Sequence, residues 1–391
     1  MKILVDIRPL MDAQYSGVSE YVYRLLEAIF VIDQKNEYIL FCNGLQEARL
    51  PDFKKDNVKI VQTHIPNKVF NYLYLWPFGR PLFDKLVAVP TGRQGEKVDI
   101  FFMPHLHLAA VSSNIKKVLT VHDLSFLINK KFFSCRKNIW HWFVNIKKLT
   151  NHFDKIVAVS ENTKRDLMEI IKVPEDKIKV IYSGISKNFT KLDIHDPKLN
   201  ITKNKYSLYK PFILFLSTIE PRKNIIGLVK AFEILKKNNQ YKDLQLVLAG
   251  GIGWKAELII KTIKSSLVKE DIIMLDYVEA SDKPYLYSLA KVFVYPSFYE
   301  GFGFPPLEAM ASGTPVVASA NSSLGEIVGD AGILVDPYNP ESIALGLKTI
   351  LDNKDLATEL SLRGLAQARK FSWQKTAEDY LNLFDELYDR H

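Results

Sequence analysis

The sequence predicts an α/β protein made of two Rossmann-like, doubly wound halves. Short apolar runs alternate with stretches of helical periodicity along both halves, the pattern of βαβ units on a parallel sheet. A length of 391 residues suits two domains, at roughly 100 to 200 residues per domain. A polar stretch without periodicity separates the halves and gives the third indication.

Residues 3–7 read as a strand and 18–30 as the helix that follows it, with 118–121 a further strand of the same half. Residues 70–83, apolar and aromatic around Trp76, Pro77, Gly79 and Pro81, read as a loop or short surface helix. Residues 191–210, mixed in charge and carrying Asp196-Pro197 and Asn200, read as a linker rather than an element. The second half opens with a strand at 212–219 and a helix at 224–237, then continues with strands at 244–250, 272–278, 292–297 and 316–319. Near the end of the chain, Trp373, Ala377, Tyr380, Leu381, Phe384 and Leu387 recur at helical spacing behind Ser372, a suitable N-cap. The domains are therefore 1–190 and 211–372, joined by 191–210 and followed by a terminal helix over 373–391.

Composition narrows the function classes. Hydrophobic residues make up 47% and charged residues 25%, as in a globular protein. No apolar run has the ~20 residues of a membrane span, and Asp6 and Arg8 interrupt the start before a secretory core forms. Two cysteines, Cys42 and Cys135, make neither a disulfide framework nor a four-cysteine zinc site, so a cytoplasmic protein is expected. The net charge is +8, yet residues 51–150 alone hold 16 Lys and Arg against 6 Asp and Glu. Within them Lys130, Lys131, Arg136, Lys137, Lys147 and Lys148 interleave with Phe132, Phe133, Trp140, Trp142 and Phe143. That stripe suits an anionic membrane surface, or is a helix with aromatics inward and lysines solvated. Nucleic acid is the disfavoured third partner.

Several chemistries lose their usual support. There is no Gly-x-Gly-x-x-Gly after the first strand and no P-loop. No two aspartates stand two apart and no His or Cys cluster has zinc spacing, so no metal cofactor is expected.

The informative segment is Tyr299-Glu300-Gly301-Phe302-Gly303-Phe304-Pro305-Pro306-Leu307-Glu308. It follows a strand and opens a helix. Its glycines permit backbone conformations that aim N–H groups into a site, and a helix N-terminus attracts phosphate. Glu300 and Glu308 flank that cradle and suit the hydroxyls of a polyol. The second segment, Thr218-Ile219-Glu220-Pro221-Arg222-Lys223-Asn224, ends the strand that opens the second half. Ligands of open α/β sheets bind outside the carboxyl ends of strands, where Arg222 and Lys223 would meet a diphosphate. An Arg-Lys pair alone is most often a solvated turn. In the first half, His122-Asp123 follows the strand 118–121, and Ser16-Gly17 precedes the first helix. A His at a strand end can bond a sugar hydroxyl, although a lone His is more often structural.

Taken together, Glu300-x7-Glu308 with the Ala-Met-Ala-Ser-Gly-Thr-Pro-Val-Val-Ala-Ser run after it, Glu220-Pro221-Arg222-Lys223-Asn224, Thr120 to Phe126, Val159 to Lys164 and Asp6-Ile7-Arg8-Pro9-Leu10 resemble the retaining GT-B glycosyltransferases of family 4. The likeness is to the subgroup with bacterial O-antigen and polysaccharide mannosyltransferases. It implies two Rossmann-like domains facing an interdomain cleft, with the terminal helix completing the first. It also implies a nucleotide-sugar donor, most simply GDP-mannose, and a glycan or lipid-linked glycan acceptor. His122, Arg222, Lys223 and Glu300 become the catalytic candidates, with Arg222 and Lys223 on the diphosphate, Glu300 on the donor sugar and His122 on its hydroxymethyl side. Gly17, Thr218, Gly301, Phe302, Gly303, Leu307 and Glu308 become the donor-binding candidates, with Glu308 on the ribose. A UDP-sugar donor is the alternative. A non-catalytic nucleotide-sugar-binding subunit would be expected to have lost one of the four charged residues, all of which are present.

Overall fold

The computed structural model describes residues 1–11, 16–45, 50–53, 55–75, 79–88 and 97–389. The chain divides into two compact units. The first comprises Met1–Leu124, Arg136–Gly184 and Ser372–His391, and the second Ser125–Cys135 and Ile185–Phe371.

The first unit holds a parallel sheet of β1 (Lys2–Asp6), β2 (Glu37–Asn43), β3 (Val58–Thr63), β4 (Ile100–Met103), β5 (Lys116–Val121), β6 (Lys155–Ala158) and β7 (Ile178–Val180), in the order β3-β2-β1-β4-β5-β6-β7. The second holds β8 (Phe212–Leu216), β9 (Gln245–Ala249), β10 (Ile272–Leu275), β11 (Val292–Tyr295), β12 (Val316–Ser319) and β13 (Ile333–Val335), in the order β10-β9-β8-β11-β12-β13. β4 and β8 are buried along their whole lengths, which is why they read as unbroken apolar runs. The strand order reverses between β1 and β4 in one sheet and between β8 and β11 in the other. Those reversals open crevices at the carboxyl ends of the strands.

Caps fix the helices that frame the first unit. Ser16 accepts from the Ser19 amide at 3.2 Å and starts Gly17–Ile32. Ser372 accepts from the Lys375 amide at 3.1 Å and starts Trp373–Tyr388. The terminal helix lies on the first unit. Tyr380 Oη sits 2.8 Å from Tyr21 Oη and 2.7 Å from Thr120 Oγ1, and Phe384 packs on Phe102. This pairing satisfies the buried hydroxyls while the rings fill core volume.

Three expectations change. The stretch expected to be a structureless linker contains a helix, Pro197–Lys205, which packs on the helix Lys283–Leu289 of the second unit. Asp196 caps it by accepting from the Lys198 amide at 2.8 Å, and Lys205 bonds Asp282 at 2.6 Å. Asp-Pro here is a helix start, not a loop marker.

The segment 70–83 is anchored in the core at both ends, while Tyr72, Gly79 and Arg80 between them are exposed. Phe70 and Phe83 are fully buried and stack on each other, and Phe83 stacks on Phe41 with the rings 4.4 Å apart. Trp76 and Pro77 lie outside the described residues.

The basic aromatic stripe is not one face. Phe132 stacks on Phe298 and Phe133 on Trp254, whose Nε1–H donates to the Phe132 carbonyl. Residues 125–135 thus fold with the second unit. Trp140 packs on His107 and Tyr72, whereas Trp142 is 70% exposed. No described helix is long and apolar enough to cross a membrane.

Candidate functional site

The crevice of the second sheet is built by the chain segments leaving β8 and β11. After β8 the chain turns through Pro221–Lys223 and reaches Asn224, whose left-handed backbone (φ 56°) reverses it into the helix Ile225–Lys236. Asn224 tolerates that conformation and caps the helix at the Gly227 amide, 3.3 Å. Its Nδ2 donates to the Pro337 carbonyl at 2.6 Å and pins the turn. After β11 the loop 296–303 ends on Gly303 at φ +112°, where a Cβ would come within 2.7 Å of Leu324. Glycine is required there both by backbone angle and by space.

These two loops bring Arg222, Lys223 and Glu300 together. Lys223 Nζ donates to Glu300 Oε1 at 2.6 Å, and Arg222 Nη1 to Glu300 Oε2 at 2.9 Å. Arg222 also donates from Nε to Glu220 Oε1 at 3.1 Å and from Nη1 to the Tyr299 carbonyl at 3.0 Å. Lys223 donates to Tyr295 Oη and Ser297 to Glu300 Oε1, both at 2.6 Å.

The cluster is nearly dry, with Lys223 and Glu300 side chains 6% and 9% exposed. Burial alone would raise the Glu300 carboxyl. Arg222 and Lys223 outweigh it and hold the group at about 2. Burial, with Arg222 alongside, lowers the Lys223 ammonium against the pull of Glu300. The arrangement keeps two cations fixed at a strand end, with a carboxylate holding their direction.

Serines brace the loop. Ser323 Oγ donates to the Glu300 and Phe302 carbonyls at 2.9 and 2.8 Å, and the Glu300 amide donates to Ser322 Oγ at 3.1 Å. The helix Phe304–Ala311 begins with Pro305 and Pro306 near its N-terminus. Prolines carry no N–H, so this helix start offers an anion fewer donors than a start without them.

The other candidates are placed as follows. Glu308 lies one turn into that helix and accepts from Tyr287 Oη at 2.8 Å, apart from the ion cluster. Leu307 is fully buried, and Phe302 is 5% exposed against Phe304 and Phe371. Their side chains belong to the core, so any ligand contact runs through backbone. Thr218 is exposed at the end of β8, and Gly301 follows Glu300 in the loop.

Gly17 and His122 belong to the first unit. Gly17 is exposed at the start of its helix. His122 Nε2 lies 2.8 Å from the Pro104 carbonyl, and its ring meets Tyr21 edge-on at 4.6 Å. A carbonyl only accepts, so Nε2 carries the proton and Nδ1 is an acceptor. Burial lowers its pKa and favours the neutral ring.

Two features escaped the sequence reading. The loop 250–253 lies against the β8 end, where the Ile219 amide donates to Gly251 at 2.9 Å and the Gly253 amide to Ile219 at 2.9 Å. A Cβ at Gly250 would stand 2.2 Å from the Ser217 carbonyl and one at Gly253 would stand 2.7 Å from Thr218. Gly250-Gly251-x-Gly253 directly after a strand was the available signal.

The second is a cluster at the β1/β4 crevice. Arg8 Nε donates to Asp6 Oδ1 at 2.9 Å, and Arg8 Nη2 donates to Leu108 O at 2.7 Å. His105 is 5% exposed, and neither ring nitrogen has a hydrogen-bond partner among the described residues. Burial lowers its imidazole to about 4 against the pull of Asp6. Burial would raise Asp6, but Arg8 and His105 hold it at about 2.

The sign of the pH response follows. Between about 6.5 and 4 the unfolded His105 binds a proton that the folded ring refuses, so stability falls as pH drops through that window, by about 3 kcal/mol in total. Asp6 adds a further loss as pH falls from about 4 toward 2. Melting temperature measured from pH 7 to 4 is expected to decline, and less steeply in His105→Asn. An identical slope in the variant would remove His105 from the account.

Two parallel Rossmann-like units, the second carrying paired cations at its strand-order reversal, define the architecture of the GT-B glycosyltransferases. Comparison with known proteins agrees over both halves. Residues 15–189 match the family described as Glycosyltransferase Family 4, and residues 198–366 match Glycosyl transferases group 1. The chain is 32% identical over 288 residues to O-antigen chain mannosyltransferase B of Escherichia coli, covering 73% of each protein. It is also 32% identical over 274 residues to the serotype-specific mannosyltransferase WbdA of Escherichia coli, covering 70% of this chain and 34% of that one. Among solved structures, sucrose-phosphate synthase from Thermosynechococcus elongatus superposes with a TM-score of 0.77 at 21% identity, covering 100% of both chains. The chain belongs to the family 4 glycosyltransferases.

Proposed function

We propose that the protein transfers mannose from GDP-mannose to a lipid-linked glycan, with retention at the anomeric carbon and without a metal ion, in bacterial surface polysaccharide synthesis. The observation that carries the transfer chemistry is the pair of fixed cations, Arg222 and Lys223, at the carboxyl end of β8. Mannose is favoured by the likeness to an O-antigen chain mannosyltransferase and a serotype-specific mannosyltransferase over 73% and 70% of the chain.

In the proposed step the bond from the sugar C1 to the β-phosphate oxygen breaks as the acceptor oxygen bonds C1 on the same face. The acceptor proton passes to the departing phosphate. Negative charge grows on that phosphate, and the fixed charges of Arg222 and Lys223 stabilise it. Lys223 has three N–H donors, two of them on Glu300 and Tyr295. Glu300 sets the direction of both cations and contacts the sugar, Glu308 holds the ribose, and His122 offers Nδ1 to a sugar hydroxyl. The protein acts at the cytoplasmic side of an anionic membrane, in keeping with its free Cys42 and Cys135.

A thermal-shift series over GDP-mannose and UDP-hexoses tests the donor. GDP-mannose at ~100 times its dissociation constant is expected to stabilise by ~2.7 kcal/mol. A shift with a UDP-hexose and none with GDP-mannose contradicts the reading. Transfer is expected to persist in EDTA, and loss restored by Mn²⁺ or Mg²⁺ would overturn metal independence.

A further inference from the structure

A cavity of about 640 Å³ opens in the first unit. Its wall is apolar, formed by Leu82, Phe101, Val111, Phe143, Leu149 and Phe153. Its size falls in the ~300–1,000 Å³ range of small-molecule sites. The left-handed Asn145 (φ 44°) separates the helices Cys135–Val144 and Ile146–His152 and sets them at one side of the opening.

Two cations, Lys117 and Lys148, stand among the polar groups at this cavity, beside Asn145. Lys117, Lys148 and His152 line it. Lys117 Nζ is fixed by the carbonyls of Ile115 at 2.6 Å and Ser113 at 3.3 Å, which engage two of its three donors. The nearby Asp154 carboxylate accepts from the Lys117 backbone amide at 2.7 Å. Trp142, also on the lining, is 70% exposed, an amphipathic ring of the kind found at membrane interfaces.

A largely apolar chamber lined also by Lys117 and Lys148 matches an amphiphile with an anionic head. We propose that this cavity takes one hydrocarbon chain of an anionic bilayer lipid, with the phosphate at Lys117 and Lys148. The proposal deepens the membrane-surface reading and rests on it for the source of the lipid. It also assigns part of the basic aromatic stripe, since Trp142, Phe143 and Lys148 form the cavity while Phe132 and Phe133 are packed in the second unit.

Calorimetric titration with alkyl phosphates below their micelle concentrations tests the cavity without a bilayer. Affinity is expected to rise about three- to fourfold per added methylene from butyl to dodecyl phosphate. Inorganic phosphate is expected to bind at least 100-fold more weakly than dodecyl phosphate. Ala110→Trp, which fills the cavity, is expected to weaken dodecyl phosphate at least tenfold while GDP binding stays unchanged. Lys148→Glu is expected to weaken dodecyl phosphate but not dodecyl maltoside. If Ala110→Trp fails to fold by circular dichroism, Leu149→Gln takes its place with the same expectation. Affinity independent of chain length, or unchanged in the filled variant, overturns the proposal. Sedimentation with anionic and neutral vesicles separates the two readings. Anionic-selective binding retained alongside chain-independent phosphate binding leaves the surface reading standing and removes the cavity, whereas no vesicle binding removes the surface reading itself.

Discussion

Lys223→Ala and Arg222→Ala are each expected to lower kcat/KM for the nucleotide sugar by ~10²- to 10³-fold, the cost of removing one preorganised charge partner of a developing anion. Both kcat and donor affinity should fall, because the cations act on charge already present in the donor and on charge that grows during departure. The structure adds a second consequence. Each cation also compensates the buried Glu300 carboxylate, at 2.6 and 2.9 Å. Losing either should therefore raise the Glu300 pKa and destabilise the second unit. Steady-state kinetics paired with thermal melts would show both effects. Unchanged kcat in both variants would remove the cations from the reaction.

The second large effect separates the two glutamates. Glu300→Ala strands the buried Lys223 and leaves Arg222 with Glu220 alone, and breaking a buried pair by removing one partner costs about 3 to 5 kcal/mol. Its kcat is expected to fall by ~10- to 100-fold, in the range of a lost charged hydrogen bond. Glu300→Gln retains one acceptor oxygen but turns an NH2 donor toward a cation that can only donate, so it should recover part of the stability and little of the turnover. Glu308 bonds Tyr287 rather than the cluster, and its proposed ribose contact does not change during reaction. Glu308→Ala should then raise donor KM with kcat little altered. Kinetics of the three variants, each checked by circular dichroism, decides the assignment. A raised KM at Glu300 with normal kcat, or no effect there, would reverse it.

The alternation that announced two parallel sheets survives in β1, β5, β8, β9, β10, β11 and β12, each inside or overlapping an apolar run singled out in the sequence. The strands of the first half carry an uneven signal in the sequence. β2 carries an apolar run from Tyr38 to Cys42, whereas β7 has three residues and β3 carries exposed Lys59 and Ile60. Such short or edge strands lack a period long enough to stand out. The helix Pro197–Lys205 was missed because it buries little apolar surface and is held by its cap and by Lys205 to Asp282. Tertiary partners of that kind leave no periodicity in the sequence.

At the site, the meeting of Arg222, Lys223 and Glu300 was foreseeable because their loops leave neighbouring strands at a reversal of strand order. Their mutual ion pairing was not, since it depends on Ser297, Tyr295 and the serines near 322 turning the carboxylate inward. The sequence places charged residues at a crevice; side-chain direction is decided by packing.

The central claim is that Arg222 and Lys223 hold the β-phosphate. Titration of GDP and GMP into the parent protein and into Arg222→Ala and Lys223→Ala isolates that phosphate. The account predicts GDP binding at least tenfold tighter than GMP in the parent, a difference of about 1.4 kcal/mol or more, and collapse of that preference in both variants. A preference for GDP that persists undiminished in both would contradict it.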